Sequence, residues 1–184
     1  MILLIMIFQS IIIRDDVLMS KYLNKEFDRI INPILEINEF HELTEIEHHG
    51  ITRYDHSLRV AYFTYKVTKM LHLNYKEATE AALLHDFFTD EVDCENGIRK
   101  LRKHPMYAVK NSSRYFELTD LQKNIIETHM FPVTFKPPKY IESWIVDLVD
   151  DAASIYEKSY SIKKQMSAAW IFLFLVFINF FKVR

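Results

Sequence analysis

Three short stretches hold the side chains best suited to chemistry: RYDHSLRVA around His56, ALLHDFF around the adjacent pair His85 and Asp86, and LVDDA around Asp150. All three are set in apolar company. His56 shares a helical face with Val60, Phe63, Val67 and Met70, and Asp150 shares one with Val146, Val149 and Ala153. An imidazole or carboxylate turned into such surroundings is costly unless it is paired or bound to a cation. Four such groups are hard to hide separately and easy to hide together around an ion. Imidazole nitrogen and carboxylate oxygen suit Mn²⁺, Fe²⁺, Zn²⁺, Ni²⁺, Co²⁺ or Mg²⁺. No thiolate biases the set towards structural zinc, because the single cysteine, Cys94, sits in a charged stretch away from any base. His104 and His129 stand at predicted helix ends and extend the set to six. Six ligands can serve two ions with an aspartate bridging them, and two ions can clamp the attacking and leaving oxygens of a displacement at phosphorus.

To bring these groups together the chain must fold as helices, and its composition agrees. Only two glycines occur, Gly50 and Gly97, too few for the many tight turns of a sheet-rich fold. Helical periodicity predicts a helix over Lys21 to Glu39, interrupted near Pro33, and a clear one over Tyr54 to Leu73. A third spans Tyr75 to Phe88 and carries the His85–Asp86 pair. Neighbouring helical residues point about 100° apart, so both can reach one ion only from a helix at the lip of a cavity. Glu91 to Lys103 reads as a surface loop or a short helix. Pro105 suits the first position of a helix running to about Phe116, with His104 as its cap. Leu121 to Met130 forms another and stops before Pro132. After the proline-rich PVTFKPPKY, a long helix from Ile141 to about Lys164 carries Asp147, Asp150 and Asp151. No segment shows sustained strand alternation, so the expected class is an all-α bundle.

The length of 184 residues and the 49% hydrophobic content suit one domain with a sizeable core. We expect that domain over residues 19–164, between apolar ends at 1–18 and 165–184. A net charge of −2 with interleaved signs gives no basic groove for a nucleic-acid polymer. With one cysteine there is no disulfide framework, and a reducing, cytoplasmic setting is the natural expectation. The run MILLIMIFQSIII lacks the features of a signal peptide, and Met19 reads as an alternative start. Ala168 to Phe181, AAWIFLFLVFINFF, is apolar on every face and shorter than the ~20 residues of a bilayer span. It is expected either to be a buried or partner-bound helix or to anchor the protein to a membrane.

In order and approximate spacing, RYDHSLRVA, ALLHDFF and LVDDA resemble the H…HD…D pattern of the HD-domain metal-dependent phosphohydrolases. KHPMYAV and IIETHMFP look like the extra histidines of that family's two-metal branch, in which HD is followed by Ile-Gly. The resemblance runs from about Glu47 to Ile155. It implies an all-α fold, a hydroxide on a metal as nucleophile, and a small phosphate ester as substrate. His56, His85, Asp86 and Asp150 correspond to the metal ligands, and His104 and His129 to those of a second ion. Asp90 or Glu91 corresponds to the carboxylate that orients water as general base in some relatives. Arg59, three residues after His56, could turn towards the phosphate, and Lys136 is a looser candidate. One departure counts against a cyclic-dinucleotide activity. Where some members follow HD with Ile-Gly-Lys, this chain has Phe87, Phe88 and Thr89.

The alternative function is a non-catalytic metal-binding sensor or scaffold, docked to a membrane or partner through its apolar C-terminal segment. Oxygen chemistry at two irons, as in a few HD relatives, is a third. His41, His48, His49 and His72 read as surface residues, and Phe87–Phe88 as core.

Overall fold

The computed structural model describes residues 24–48, 51–89 and 98–159, and these form an all-α fold. Both apolar ends, and with them Met19 and Ala168 to Phe181, lie outside the described residues, as do Asp90, Glu91 and Cys94.

Helix α1 is Lys25–Leu35. Asn24 opens it by accepting from the backbone N–H groups of Glu26 and Phe27. Phe27, Ile30, Ile31 and Ile34, at steps of three and four, form its buried stripe. Pro33 stands on the exposed side within this helix, near its end, and does not interrupt it. A short helix α2, Asn38–His41, and a 3-10 turn, Glu42–Glu45, place Phe40 and Leu43 in the core. Two residues on each side, Glu47–His48 (β1) and Ile51–Thr52 (β2), pair antiparallel. This minimal ladder is the only strand pairing among the described residues.

Helix α3, Arg53–Met70, starts at Thr52, whose hydroxyl accepts from the Asp55 N–H. It is buried on most of its circumference, by Leu58, Val60, Ala61, Phe63, Tyr65 and Val67 among others. Helix α4, Tyr75–Leu84, lies against α3, with the small Ala78, Ala81 and Ala82 fully buried. The predicted helix to Phe88 is thus four residues too long. The chain tightens instead, with Phe87 N–H donating to the Leu84 carbonyl and Phe88 N–H to that of Asp86. His85 is left as the C-cap and Asp86 in the following turn.

Helix α5 is Ile98–Ser112 and contains Pro105 in its interior. His104 is therefore a mid-helix residue and not a cap. An interior proline costs a helix about 3 kcal/mol or more. Pro105 and Ala108 are buried on one side of the helix, and that apolar burial acts against the loss. Helix α6, Asp120–Thr128, opens with a capping box between Thr119 and Gln122 and ends with His129 as C-cap. Helix α7 runs through 141–159. Its inner side buries Ile145, Val146, Val149 and Ala153, while Ile141, Trp144, Leu148 and Ile155 are exposed. Among the described residues no helix is long and apolar enough to cross a membrane.

Candidate metal centre

The ends and inner faces of α3, α4, α5, α6 and α7 deliver one imidazole or carboxylate after another to a single buried cluster. From α3 comes His56, fully buried, and from α7 comes Asp150, whose Oδ1 lies 2.9 Å from His56 Nε2. The other ring nitrogen of His56, Nδ1, lies 2.9 Å from Oε2 of Glu157, two turns further along α7. Glu157 is itself buried, and its second oxygen accepts from Arg59.

His85 and His129 are set by a shared local device. Each ends a helix, and each turns Nδ1–H back onto the carbonyl three residues earlier: His85 to Ala82 at 2.7 Å, His129 to Ile126 at 2.8 Å. These carbonyls are ones a helix end leaves without an intrahelical partner. The bond fixes the tautomer, and Nε2 carries the lone pair into the cluster. Nε2 of His85 is buried and makes no hydrogen bond, with Asp150 Oδ1 at 3.7 Å and Asp86 Oδ2 at 3.9 Å. An orphaned imidazole nitrogen facing two carboxylates is what a cation would satisfy.

Asp86 lies between two groups of imidazoles. Its Oδ1 is 3.4 Å from His104 Nε2 and 3.7 Å from His129 Nε2, and those two nitrogens are 2.8 Å apart. Three overlapping triads could each hold an ion: His56, His85 and Asp86; His85, His129 and Asp150; Asp86, His104 and His129. Within each, the donor atoms lie within 4.8 Å of one another. His85, Asp86 and His129 each belong to two triads, so the six groups form one continuous donor set.

The electrostatics follow from this crowding. Burial alone would strip His56 of its proton, but the carboxylates of Asp150 and Glu157 outweigh it and raise its pKa to about 10. Burial likewise acts against the charged form of His85, and Asp86 and Asp150 overcome it. On the other side burial prevails. His129 falls to about 3, with the charges of His104 and His85 adding to the effect, and His104 is lowered too. Burial would raise Asp150, yet His85 and His56 hold it well below the usual carboxylate range.

Of the residues singled out in the sequence, His56, His85, Asp86, His104, His129 and Asp150 meet here. Arg59 does not turn towards the pocket; its guanidinium is taken by Glu157. Lys136 pairs with Glu127 on the surface. Asp90 falls outside the described residues. Phe87 and Phe88 are buried, and Phe88 stacks on the His104 ring at 5.4 Å. Asp147 and Asp151 stay out of the triads. Asp147 accepts from the Phe131 N–H at 3.2 Å, and Asp151 is exposed.

Two residues near the cluster were not singled out from the sequence. Glu157 continues the buried face of Val146, Val149, Asp150 and Ala153, and a charge at that position was the signal available. Arg53 is buried, donates to the Phe88 carbonyl at 2.7 Å and lies 3.9 Å from the centre of the Phe88 ring. Nothing in the spacing marks it out.

Compared with known proteins, the chain matches the family described as HD domain over residues 53–154, more than half of its length. No curated protein and no solved structure matches it.

Proposed function

The chain belongs to the HD domain family, and from that premise we propose that it is a metal-dependent phosphohydrolase acting on a small phosphate mono- or diester. One observation carries the reading: six imidazole and carboxylate groups from five helices converge in overlapping triads, and His85 Nε2 is buried there without a hydrogen bond. A structural role for so many buried polar groups would be an expensive way to fill a helical core.

His56, His85, Asp86 and Asp150 would hold one divalent ion, and His104 and His129, sharing Asp86, a second. A bound ion supplies an acidified water and positive charge at the phosphorus. The chain's own residues do the rest. His85 and His129 aim their Nε2 atoms through bonds to their own helix ends. Asp86 lies within reach of both groups of imidazoles. Phe87 and Phe88, where some relatives continue towards a lysine, instead seal the apolar side of the turn. No basic side chain is offered from Phe87 to Thr89, which favours a substrate held by metal and backbone over a cyclic dinucleotide.

The test joins metal analysis of protein purified without added metal to a panel of small phosphate esters assayed with Mn²⁺. Phosphate release that disappears in His85→Ala supports the reading. Release that persists in metal-free protein refutes it. Bound metal with no turnover across the panel would point to the non-catalytic sensor or scaffold.

A further inference from the structure

We propose that Glu157, braced by Arg59, is a positioning residue that fixes the ring plane and tautomer of His56 and strengthens it as a metal donor. The inference deepens the metal-site reading and rests on it. His85 and His129 stand at helix ends, where carbonyls are available, and each uses one to fix its Nδ1–H. His56 has no such recourse. It lies in the first turn of α3, and the carbonyls around it are engaged in that helix's own ladder. Its orienting acceptor must come from another element, and α7 supplies it.

Asp150 and Glu157 are seven residues apart, about 10.5 Å along one side of α7. They meet opposite nitrogens of the same ring, each at 2.9 Å. With Nδ1 donating its proton to Glu157, Nε2 would be the nitrogen left to face Asp150 and the triads when a cation is held there. Glu157 is only 2% exposed, an expensive place for a carboxylate without a partner. Arg59 lies one turn beyond His56 on α3, pairs with the far oxygen of Glu157, and rests 5.5 Å from the Tyr156 ring. An anionic acceptor behind a ligating imidazole orients it and raises its basicity, and loss of such a partner typically weakens metal binding 10–100-fold. Glu157 also lies beyond the matched stretch of residues 53–154.

The full-length chain tests this with Co²⁺ as probe. Affinity is read by competition with a chromophoric chelator, ligand field by the visible spectrum, and fold by the melting temperature of the metal-free protein. Glu157→Gln keeps size and a neutral acceptor, and is expected to bind Co²⁺ at least about tenfold more weakly with a shifted visible band. Arg59→Ala, which leaves Glu157 in place, is expected to weaken binding by a smaller factor and to serve as the readout if Glu157→Gln does not fold. Wild-type Co²⁺ affinity and spectrum in a folded Glu157→Gln protein, whatever its melting temperature, would reduce the pair to structural support and overturn the inference alone. With a non-folding Glu157→Gln, unchanged Co²⁺ affinity in Arg59→Ala overturns it. A wild-type chain that takes up no Co²⁺ overturns the metal-site reading together with it.

Discussion

His104 and His129 point their Nε2 atoms at each other across 2.8 Å. His129 spends its ring proton on the Ile126 carbonyl, so its Nε2 is an acceptor while the ring is neutral. In the metal-free chain His104 must then carry its proton on Nε2. To hold an ion in this corner His104 would take its other tautomer, with the proton on Nδ1, so that the Nε2 lone pairs of both rings face the ion. On the proposed two-ion reading, His104→Ala should lower the metal content by one ion per chain, leaving the His56, His85 and Asp86 triad able to bind. Elemental analysis after exhaustive dialysis checks the count; unchanged stoichiometry would remove His104 from the donor set.

Loss of His85 is expected to act on activity and on folding through different atoms of the same ring. His85→Ala takes a ligand out of two triads, and we expect phosphate release to fall about a hundredfold or more, since a direct ligand should cost no less than the 10–100-fold of its outer partners. Its Nε2 makes no hydrogen bond to lose, so the stability cost is that of truncating a buried ring and losing the Nδ1–H bond to the Ala82 carbonyl, about 2–4 kcal/mol. Parallel urea melts and rate measurements separate the two effects.

Arg53 offers a test of the turn that follows the HD pair. Its guanidinium holds the Phe88 carbonyl and lies over the Phe88 ring, which in turn stacks on His104. Arg53→Ala removes a buried bond and a cation–π contact, and should destabilise the chain by about 2–3 kcal/mol. Arg53→Lys keeps the charge without the flat stacking surface and should recover only part of that loss. Denaturant unfolding of both variants measures the difference, and equal stability of Lys and Arg at this position would argue against a stacking role.

Asp147 predicts a pH effect away from the cluster. Burial, with Asp151 and Asp150 adding repulsion, raises its pKa to about 7, against about 4 in an unfolded chain. Below pH 4 the carboxyl is protonated in both states and costs nothing. As pH rises towards 7 the unfolded chain releases its proton first, so stability declines, and above 7 the full penalty applies. Asp147→Asn keeps an oxygen for the Phe131 N–H and should melt higher than the parent above pH 7, with the gap closing towards pH 4. Each 1 kcal/mol regained corresponds to about 2–4 °C in a chain of this size. A gap that is constant with pH would place the ionisation elsewhere.

Much of the cluster was legible in the sequence because burial cost is visible in a pattern. His56, Asp150 and the His85–Asp86 pair announced themselves as polar groups on apolar faces. The long helices were equally plain in the periodicity of α3 and α7. What could not be read were the ends. Periodicity carried α4 on to Phe88, since Phe87 and Phe88 continue the apolar run; only the backbone bonds at Leu84 and Asp86 show the chain leaving the helix. Pro105 reads as a helix opener by local preference, and burial around it overrode that preference. Arg59 was a matter of reach: a flexible cation one turn from a ligand has several carboxylates to choose among, and the choice of Glu157 depends on the packing of α3 against α7.

The two helices that stop at Leu84 and Thr128 leave His85 and His129 tethered to main chain, with no side-chain partner needed to aim them. Such tethers exist before any ion arrives. The aim of these two donors is then a property of the folded backbone, and they should take up an ion with little rearrangement and little loss of conformational freedom. Amide resonances across α4 and α6 should barely shift on titration with a diamagnetic ion, the changes being confined to the imidazole rings themselves.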